Sequence, residues 1–257
     1  MARINGRSYC RPAMIATSVG ALFVAAGLSA AATATLTSSA DNTLYQDASG
    51  LLSNGAGTGM FVGMPGAGAG GIRRALIRWD LSSLPAGAVI TGATITLRAS
   101  QVSSSASVDV SLHNALAAWG EGTSLAAGGG GSGAPSTAGD ATWLHTFYNA
   151  SFWTTPGGDF EAAALAVTPV GAVGTYSWSS PGLAAQAQAW LNSPAANFGI
   201  VLTGLESGSS TAKRFDTHEV ATPATRPTLT ISYDLPAPGT GTAGFLAGWT
   251  CIRRRRR

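Results

Sequence analysis

The chain has 257 residues, of which 45% are hydrophobic and only 11% are charged. This composition excludes a disordered, solvating protein, which needs high net charge and few apolar residues. The formal net charge is +3, but eight of the fifteen Lys and Arg residues lie near the two ends. The other seven stand among all twelve acidic residues, which gives the body a net charge of −5. Such a body has no electrostatic reason to bind phosphate backbones, so no nucleic-acid partner is expected.

The first segment has the order of charges expected of an export signal. Its three arginines, Arg3, Arg7 and Arg11, precede an apolar run over residues 13–31. Ala32-Thr33-Ala34 then fits the small-residue pattern of a cleavage site. We therefore predict a signal peptide over residues 1–34, a mature terminus between Ala31 and Thr35, and a secreted or cell-surface protein.

The last segment, residues 234–257, is predicted to be a linker and a sorting tail. Pro236 and Pro238 lead into an apolar stretch that ends in five arginines, Arg253, Arg254, Arg255, Arg256 and Arg257. The thirteen residues from Thr240 to Ile252 would form a helix of about 20 Å, short for a bilayer core of about 30 Å. The tail resembles the PEP-CTERM class of bacterial sorting signals, with Ala237 in place of the expected Glu. This resemblance implies export and sorting machinery as partners and transient retention at the membrane; the alternative is a simple basic tail.

The body between these ends has the pattern of an all-β protein. Hydrophobic residues alternate with polar ones in four segments: 74–81, 93–98, 108–113 and 228–233. Residues 200–202 form one short apolar run. One helix is predicted after Ser180, a capping residue, with Pro181 at its first position and an end near Pro194. Three stretches are predicted to be loops: 53–71, 126–138 and 149–158. These elements predict a jelly-roll β-sandwich with one short helix, flanked by the signal peptide and the short C-terminal apolar helix.

The sequence does not support an assignment to the enzymes or cofactor-binding proteins that short motifs identify. Gly66 to Gly71 matches G-x-G-x-x-G by letter, but a loop precedes it and a strand follows, which is the reverse of the dinucleotide-binding context. The three histidines, His113, His145 and His218, stand far apart in the sequence, a poor pattern for a catalytic zinc. We predict no catalytic residues and no enzymatic activity. A hydrolase or lyase, by analogy with enzymes that carry similar modules, is the alternative.

An ordered series of short motifs extends over the body. The motifs occur at Asp41–Tyr45, Ser53–Gly57, Arg73–Leu81, Leu84–Gly87, Val110–His113, Trp119–Gly122, Gly139–His145, Trp153–Phe160, Asn197–Gly199, Lys213–Glu219 and Arg226–Leu229. This series closely resembles the DNRLRE-domain proteins of bacterial exoproteomes, over residues 35–233. The resemblance implies a non-enzymatic jelly-roll domain of secreted or surface proteins. Some relatives are classed as carbohydrate-binding modules, but no fixed binding motif transfers to this chain.

The charged motif residues have two interpretations. Arg74, Asp80, Arg214, Asp216 and Glu219 lie in or beside strands and would form ion pairs that fix the register. In the other interpretation, Asp41, Asn42 and Asp216 supply oxygen ligands to a structural Ca²⁺ ion. Ca²⁺ is the one cofactor that the sequence suggests.

Two interpretations also apply to the aromatic cluster that lies largely in the long central connection: Trp119, Trp143, Phe147, Tyr148, Phe152 and Trp153. Trp119, Trp143 and Trp153 would stack on sugar rings, with Glu121 and His145 orienting the hydroxyl groups. Alternatively, the aromatic rings fasten the connection to the sandwich.

Two non-enzymatic functions follow from these patterns. The first is an exported structural or adhesive component of the cell surface or extracellular matrix, whose partners are extracellular polysaccharide or matrix components. The alternative is a carbohydrate-binding module that recognises an extracellular polysaccharide. We favour the first because the body is one domain without an attached catalytic domain to target.

Overall fold

A computed structural model describes residues 31–66 and 70–235. The signal-peptide residues before Ala31 lie outside the described residues, as do the sorting residues Pro236, Pro238 and Arg253 to Arg257. The described chain forms fifteen strands and one α-helix. These are β1 (Ala31–Thr37), β2 (Ala40–Tyr45), β3 (Leu52–Ser53), β4 (Gly59–Val62), β5 (Arg73–Arg78), β6 (Val89–Val102), β7 (Val108–Asn114), β8 (Ala134–Pro135), β9 (His145–Phe147), β10 (Ser151–Phe152), β11 (Ala166–Val170), β12 (Gly174–Ser179), α1 (Pro181–Asn192), β13 (Ile200–Thr203), β14 (Lys213–Asp216) and β15 (Thr228–Asp234). Short 3₁₀ turns occupy Pro194–Ala196 and Pro223–Thr225.

Two antiparallel sheets form a sandwich. One has the order β1-β15-β6-β14-β4, with β12 also paired to β6, and the other has the order β11-β7-β13-β5-β2. The long strand β6 makes this arrangement possible because β15 and β14 pair with successive parts of it. The all-β sandwich expected from the sequence is confirmed.

The main core lies between the two sheets. The period-two pattern of β6 places Ala93, Ile95, Leu97 and Ala99 in this core, while the residues between them are partly exposed. The facing sheet contributes side chains such as Ile77. In β6, alternation in the sequence therefore records which face of the strand is buried.

The predicted helix is also confirmed. It starts at Pro181, and the hydroxyl of the N-cap residue Ser180 accepts a hydrogen bond from the Leu183 N–H at 2.9 Å. Leu183, Ala187 and Trp190 form its buried face. The helix packs against β6 and adds its buried face to the main core.

A third layer covers the outer face of the five-stranded sheet. Leu44, Leu76 and Val201 point away from the main core into a second hydrophobic cluster. The long connection between β7 and β11 supplies most of the other members, including Trp119, Trp143 and Trp153. All six residues of β2 are consequently buried, although β2 is an edge strand.

Parts of the predicted loops are strands. Gly59–Val62 forms β4 within the stretch 53–71, and its pairing with β14 places Met60 and Val62 in the main core. The other two stretches contain two-residue strands, β8 and β10. The loop prediction was wrong at these positions because the segments are too short or too rich in glycine to show alternation.

Candidate functional site

Four titratable side chains from three distant segments meet at one edge of the sandwich. Asp41 belongs to β2, Glu121 to the long connection, and His218 and Glu219 to the segment after β14. One ligand-type atom from each residue lies within 4.8 Å of the others. We call these four residues the acidic cluster. It joins the two sheets and the third layer.

His218 is at the centre of the acidic cluster. Its Nδ1 lies 2.9 Å from Asp41 Oδ2 and 3.5 Å from Glu121 Oε1. Its Nε2 lies 3.1 Å from Glu219 Oε1. The backbone N–H of His218 also donates to Asp41 Oδ2, at 3.1 Å. Both ring nitrogens therefore face carboxylate oxygens.

Two carboxylate oxygens of the acidic cluster have no hydrogen-bond partner among the described residues. They are Asp41 Oδ1 and Glu219 Oε2, and both atoms are buried. The Asp41 side chain is 1% exposed. Buried polar oxygens in native proteins normally have a partner, so these two atoms require an explanation.

The backbone around Glu121 is fixed by close packing of glycines. Gly122 has φ of +74°, and a Cβ there would lie 1.5 Å from Asp140 Oδ1. A Cβ on Gly55 would lie 1.7 Å from the carbonyl oxygen of Glu121. That carbonyl accepts a hydrogen bond from Asn42 Nδ2 at 2.8 Å, and Glu121 Oε1 accepts one from the Asp41 N–H, also at 2.8 Å. The motifs at Ser53–Gly57 and Trp119–Gly122 therefore serve to position Glu121.

The electrostatics of the acidic cluster favour bound protons. Hydrogen bonding to Asp41 raises the pKa of His218 to about 9, against the effect of burial. Burial raises the pKa of Asp41 to about 7, and the nearby Glu219 carboxylate acts in the same direction. Burial also raises the pKa of Glu121. For both carboxyl groups burial is the largest cause of the raised pKa, and the Glu219 carboxylate adds to it.

The three residues predicted to bind one Ca²⁺ ion have different hydrogen-bond and ion-pair partners. Asp41 lies in the acidic cluster, but Asp216 pairs with Arg214 at 3.3 Å and Arg98 at 3.7 Å. The amide oxygen of Asn42 accepts hydrogen bonds from the Thr43 and Asn54 N–H groups and the Ser53 hydroxyl. Asn42 thus holds the turn after β3 in place.

The three tryptophans predicted to stack on sugars are buried. Trp119, Trp143 and Trp153 are 2%, 7% and 5% exposed and belong to the second hydrophobic cluster. The indole N–H of Trp119 donates to the Phe198 carbonyl at 2.7 Å, and that of Trp153 to the Thr142 carbonyl at 2.9 Å. A sugar cannot stack on faces that are covered in this way. Their positions agree with the alternative interpretation, in which they fasten the connection to the sandwich.

The two polar residues of the predicted sugar site differ in environment. Glu121 belongs to the acidic cluster. His145 is buried, with Nδ1 2.9 Å from the Thr142 hydroxyl, and burial lowers its pKa. The ring of Phe152 lies 4.4 Å from the His145 ring, between centroids, and Phe152 is 67% exposed. Phe152 was not among the predicted site residues.

Most of the charged motif residues form the expected ion pairs. Arg74 binds Glu206 through two hydrogen bonds of 2.7 and 2.9 Å, and Arg214 pairs with Asp216. Glu219 pairs with His218. Asp80 instead accepts hydrogen bonds from the backbone N–H and hydroxyl of Ser82, which close a turn.

The acidic cluster was not expected from the sequence. Asp41 was expected to bind Ca²⁺, Glu121 to bind sugar and Glu219 to form an ion pair, while His218 had no expected role. Each of the four residues lies within a motif of the ordered series, and this was the available signal. Their separation along the chain concealed the contact, since Asp41 and His218 are 177 positions apart.

Comparison with known proteins adds no family assignment. Neither a protein-family model nor a curated protein matches this chain. Within residues 31–66 and 70–235, no helix has the length and apolar character needed to cross a membrane.

Proposed function

We propose that this chain is an exported, non-enzymatic structural or adhesive protein of the cell surface or extracellular matrix. The observation that carries the proposal is the burial of Trp119, Trp143 and Trp153. The most prominent aromatic residues of the long connection contribute to a second core and do not form an open stacking surface. Two cores in one domain give rigidity to a body that has no cysteine between residues 31 and 235, which suits a matrix component.

The remaining elements of the proposal rest on sequence. The signal-peptide pattern supports export, and the resemblance to DNRLRE-domain proteins supports a surface role. The sorting-tail pattern supports a stage at the membrane in contact with sorting machinery. The partners proposed are matrix polysaccharides or other matrix components.

A second candidate function is recognition of an extracellular polysaccharide. This function is supported by Phe152, whose exposed ring stacks with the ring of His145. The ring of Tyr148 also lies near His145, at 5.2 Å between centroids. An exposed aromatic ring is a suitable platform for a sugar face.

The experiment that separates these functions is affinity electrophoresis of the purified protein in gels containing candidate polysaccharides, with a glycan array beside it. We expect weak, non-saturable retention that Phe152→Ala leaves unchanged. Saturable binding to one polysaccharide, lost in Phe152→Ala with the circular-dichroism spectrum intact, would make glycan recognition the primary function. Turnover of the polysaccharide during the assay would contradict the non-enzymatic proposal.

A further inference from the structure

The acidic cluster contains three carboxylates and one imidazole. When all four groups are ionised, two negative charges remain without a partner inside the cluster. Of these groups, the Asp41 carboxylate has the greatest need for a counter-charge, because its side chain is only 1% exposed. A buried charge is tolerated only when it is paired or coordinates a metal.

The unpartnered oxygens point to a ligand. Asp41 Oδ1 is shielded from solvent and has no hydrogen-bond partner among the described residues. Glu219 Oε2, on the other side of the imidazole, is in the same situation. Hydrogen bonds within the cluster use only one oxygen of each carboxylate. A cation that Asp41 binds through both oxygens would supply the missing partner of Oδ1, whereas Glu219 Oε2 would not contact the ion.

The distances between donor atoms fit a metal ion. Two oxygens approach His218 Nδ1, Asp41 Oδ2 at 2.9 Å and Glu121 Oε1 at 3.5 Å. A single proton on Nδ1 cannot bind both oxygens well. Neighbouring ligand atoms on one Zn²⁺ ion, with bonds of about 2.0–2.1 Å, lie roughly 2.8–3.0 Å apart in octahedral geometry and roughly 3.3–3.4 Å apart in tetrahedral geometry. The 2.9 Å separation falls within these ranges and the 3.5 Å separation lies just above them. Asp41 and Glu121 offer oxygens within 4.8 Å of each other, so movements of these side chains would bring the three ligands onto one ion.

We propose that the acidic cluster binds one divalent cation of the zinc and manganese class through Asp41, Glu121 and His218 Nδ1. Glu219 accepts the hydrogen bond from Nε2–H and orients the imidazole, as carboxylates do behind metal-bound histidines. Binding breaks the Nδ1–H bond, and that proton passes to solvent. The ion joins β2, the long connection and the segment after β14.

The donor set distinguishes this ion from Ca²⁺. Calcium prefers six to eight oxygen ligands, whereas imidazole nitrogen suits zinc and other transition metals. The proposed site thus differs from the calcium site expected from the sequence in both its ligands and its ion. It is also independent of the surface role proposed above.

Metal titration of the full chain tests the proposal. The protein is prepared without an affinity tag and with Cys10→Ser and Cys251→Ser, so that neither a tag nor a thiol binds the ion. After chelator treatment, Zn²⁺, Mn²⁺ and Ca²⁺ are titrated separately by calorimetry, and bound metal is measured after dialysis. We expect one Zn²⁺ or Mn²⁺ per chain with a Kd below about 10 µM, weaker Ca²⁺ binding, and a raised unfolding midpoint.

Two variants locate the ion. Glu121→Gln keeps an oxygen that accepts from the Asp41 N–H but removes a charged ligand, and His218→Ala removes the nitrogen ligand. We expect each to weaken binding at least about tenfold, while Glu161→Gln, at an exposed carboxylate, leaves it unchanged. If His218→Ala does not fold, Glu121→Gln decides alone.

Three results would overturn the proposal. The first is the absence of stoichiometric Zn²⁺ or Mn²⁺ binding with a Kd below about 10 µM. The second is unchanged affinity in a folded Glu121→Gln variant. The third is Ca²⁺ binding tighter than that of both transition metals.

Discussion

Asp41 Oδ2 accepts two hydrogen bonds from His218, one from the ring at 2.9 Å and one from the backbone N–H at 3.1 Å. Asp41 belongs to the edge strand of the five-stranded sheet, and His218 follows β14 of the other sheet. This pair therefore ties the two sheets together at the edge of the sandwich, where the main core ends.

Replacing His218 tests the energetic importance of this contact. We expect His218→Ala to lower the free energy of unfolding of the metal-free protein by about 2 kcal/mol, because it leaves the Asp41 carboxylate buried without its imidazole partner. Urea unfolding in the presence of chelator measures the change. Glu161→Gln is the control and should change the value by less than about 0.5 kcal/mol. Equal stability of the two variants would contradict this prediction.

A buried lysine provides a second internal tie. Lys213 is 1% exposed, and its Nζ donates to the carbonyl oxygens of Ser104, Ala106 and Gly171 at 2.7, 2.9 and 2.9 Å. These carbonyls belong to the turns after β6 and β11. We expect Lys213→Met to lower the free energy of unfolding by about 2–3 kcal/mol, since the carbonyls lose a charged donor in a buried position.

The control for Lys213 is Arg98→Met. Arg98 is also cationic and lies in the same sheet, but its side chain is 42% exposed and its distance to Asp216 is 3.7 Å. Its replacement should cost less than about 1 kcal/mol. A smaller effect at Lys213 than at Arg98, measured by urea unfolding, would show that the three hydrogen bonds contribute little.

Regular strands and the helix could be predicted because their signals are local. The alternation in β6 and the Ser180–Pro181 start of the helix need no knowledge of distant residues. β4 could not be predicted in this way, because its glycine-rich surroundings hide a strand whose burial depends on pairing with β14. Local propensity is a weak guide where tertiary contacts decide.

The candidate site was harder to predict for a related reason. The sequence marks Trp143 as important, but hydrophobic character is the same for a ring in a core and a ring on a binding surface. The third layer determines the outcome, and its packing on Leu76 and Val201 is a property of the folded chain. Likewise, nothing local to His218 indicates that Asp41 and Glu121 surround it.

His145 gives the stability a pH dependence of known sign. Burial lowers its pKa from the ordinary value of 6.5, so the unfolded chain binds a proton at a higher pH than the folded chain does. The stabilisation by neutral His145 is therefore complete above about pH 6.5 and is lost as the pH falls through the folded-state pKa. We expect the stability difference between wild type and His145→Gln to shrink between about pH 7 and pH 5. A difference that grows as the pH falls would contradict the burial effect.

The position of β1 refines the expected start of the mature protein. β1 pairs with β15 from Ala31↔Asp234 to Thr37↔Thr228. Cleavage after Ala34 would remove the partners of Ile231 to Asp234, so we expect the terminus of the exported protein at Ala31 or Ala32. Mass spectrometry of the secreted or surface fraction measures it directly. A main species that begins at Thr35 would contradict this refinement, and an intact Met1 on most molecules would contradict export.

Truncation of the tail tests the sorting signal separately from folding. The last described strand ends at Asp234, so a chain that stops after Leu235 keeps every strand pair of the sandwich. We expect this truncated protein to leave the membrane fraction and accumulate in the medium, because it lacks the apolar segment and the arginines that would hold the precursor at the membrane.

A second variant with serine in place of Arg253 to Arg257 distinguishes a sorting signal from a simple basic tail. If charge alone retains the protein, high salt should release the full chain and the serine variant should behave like the truncation. An unchanged distribution of the truncated protein between membrane and medium would show that the tail has no sorting role.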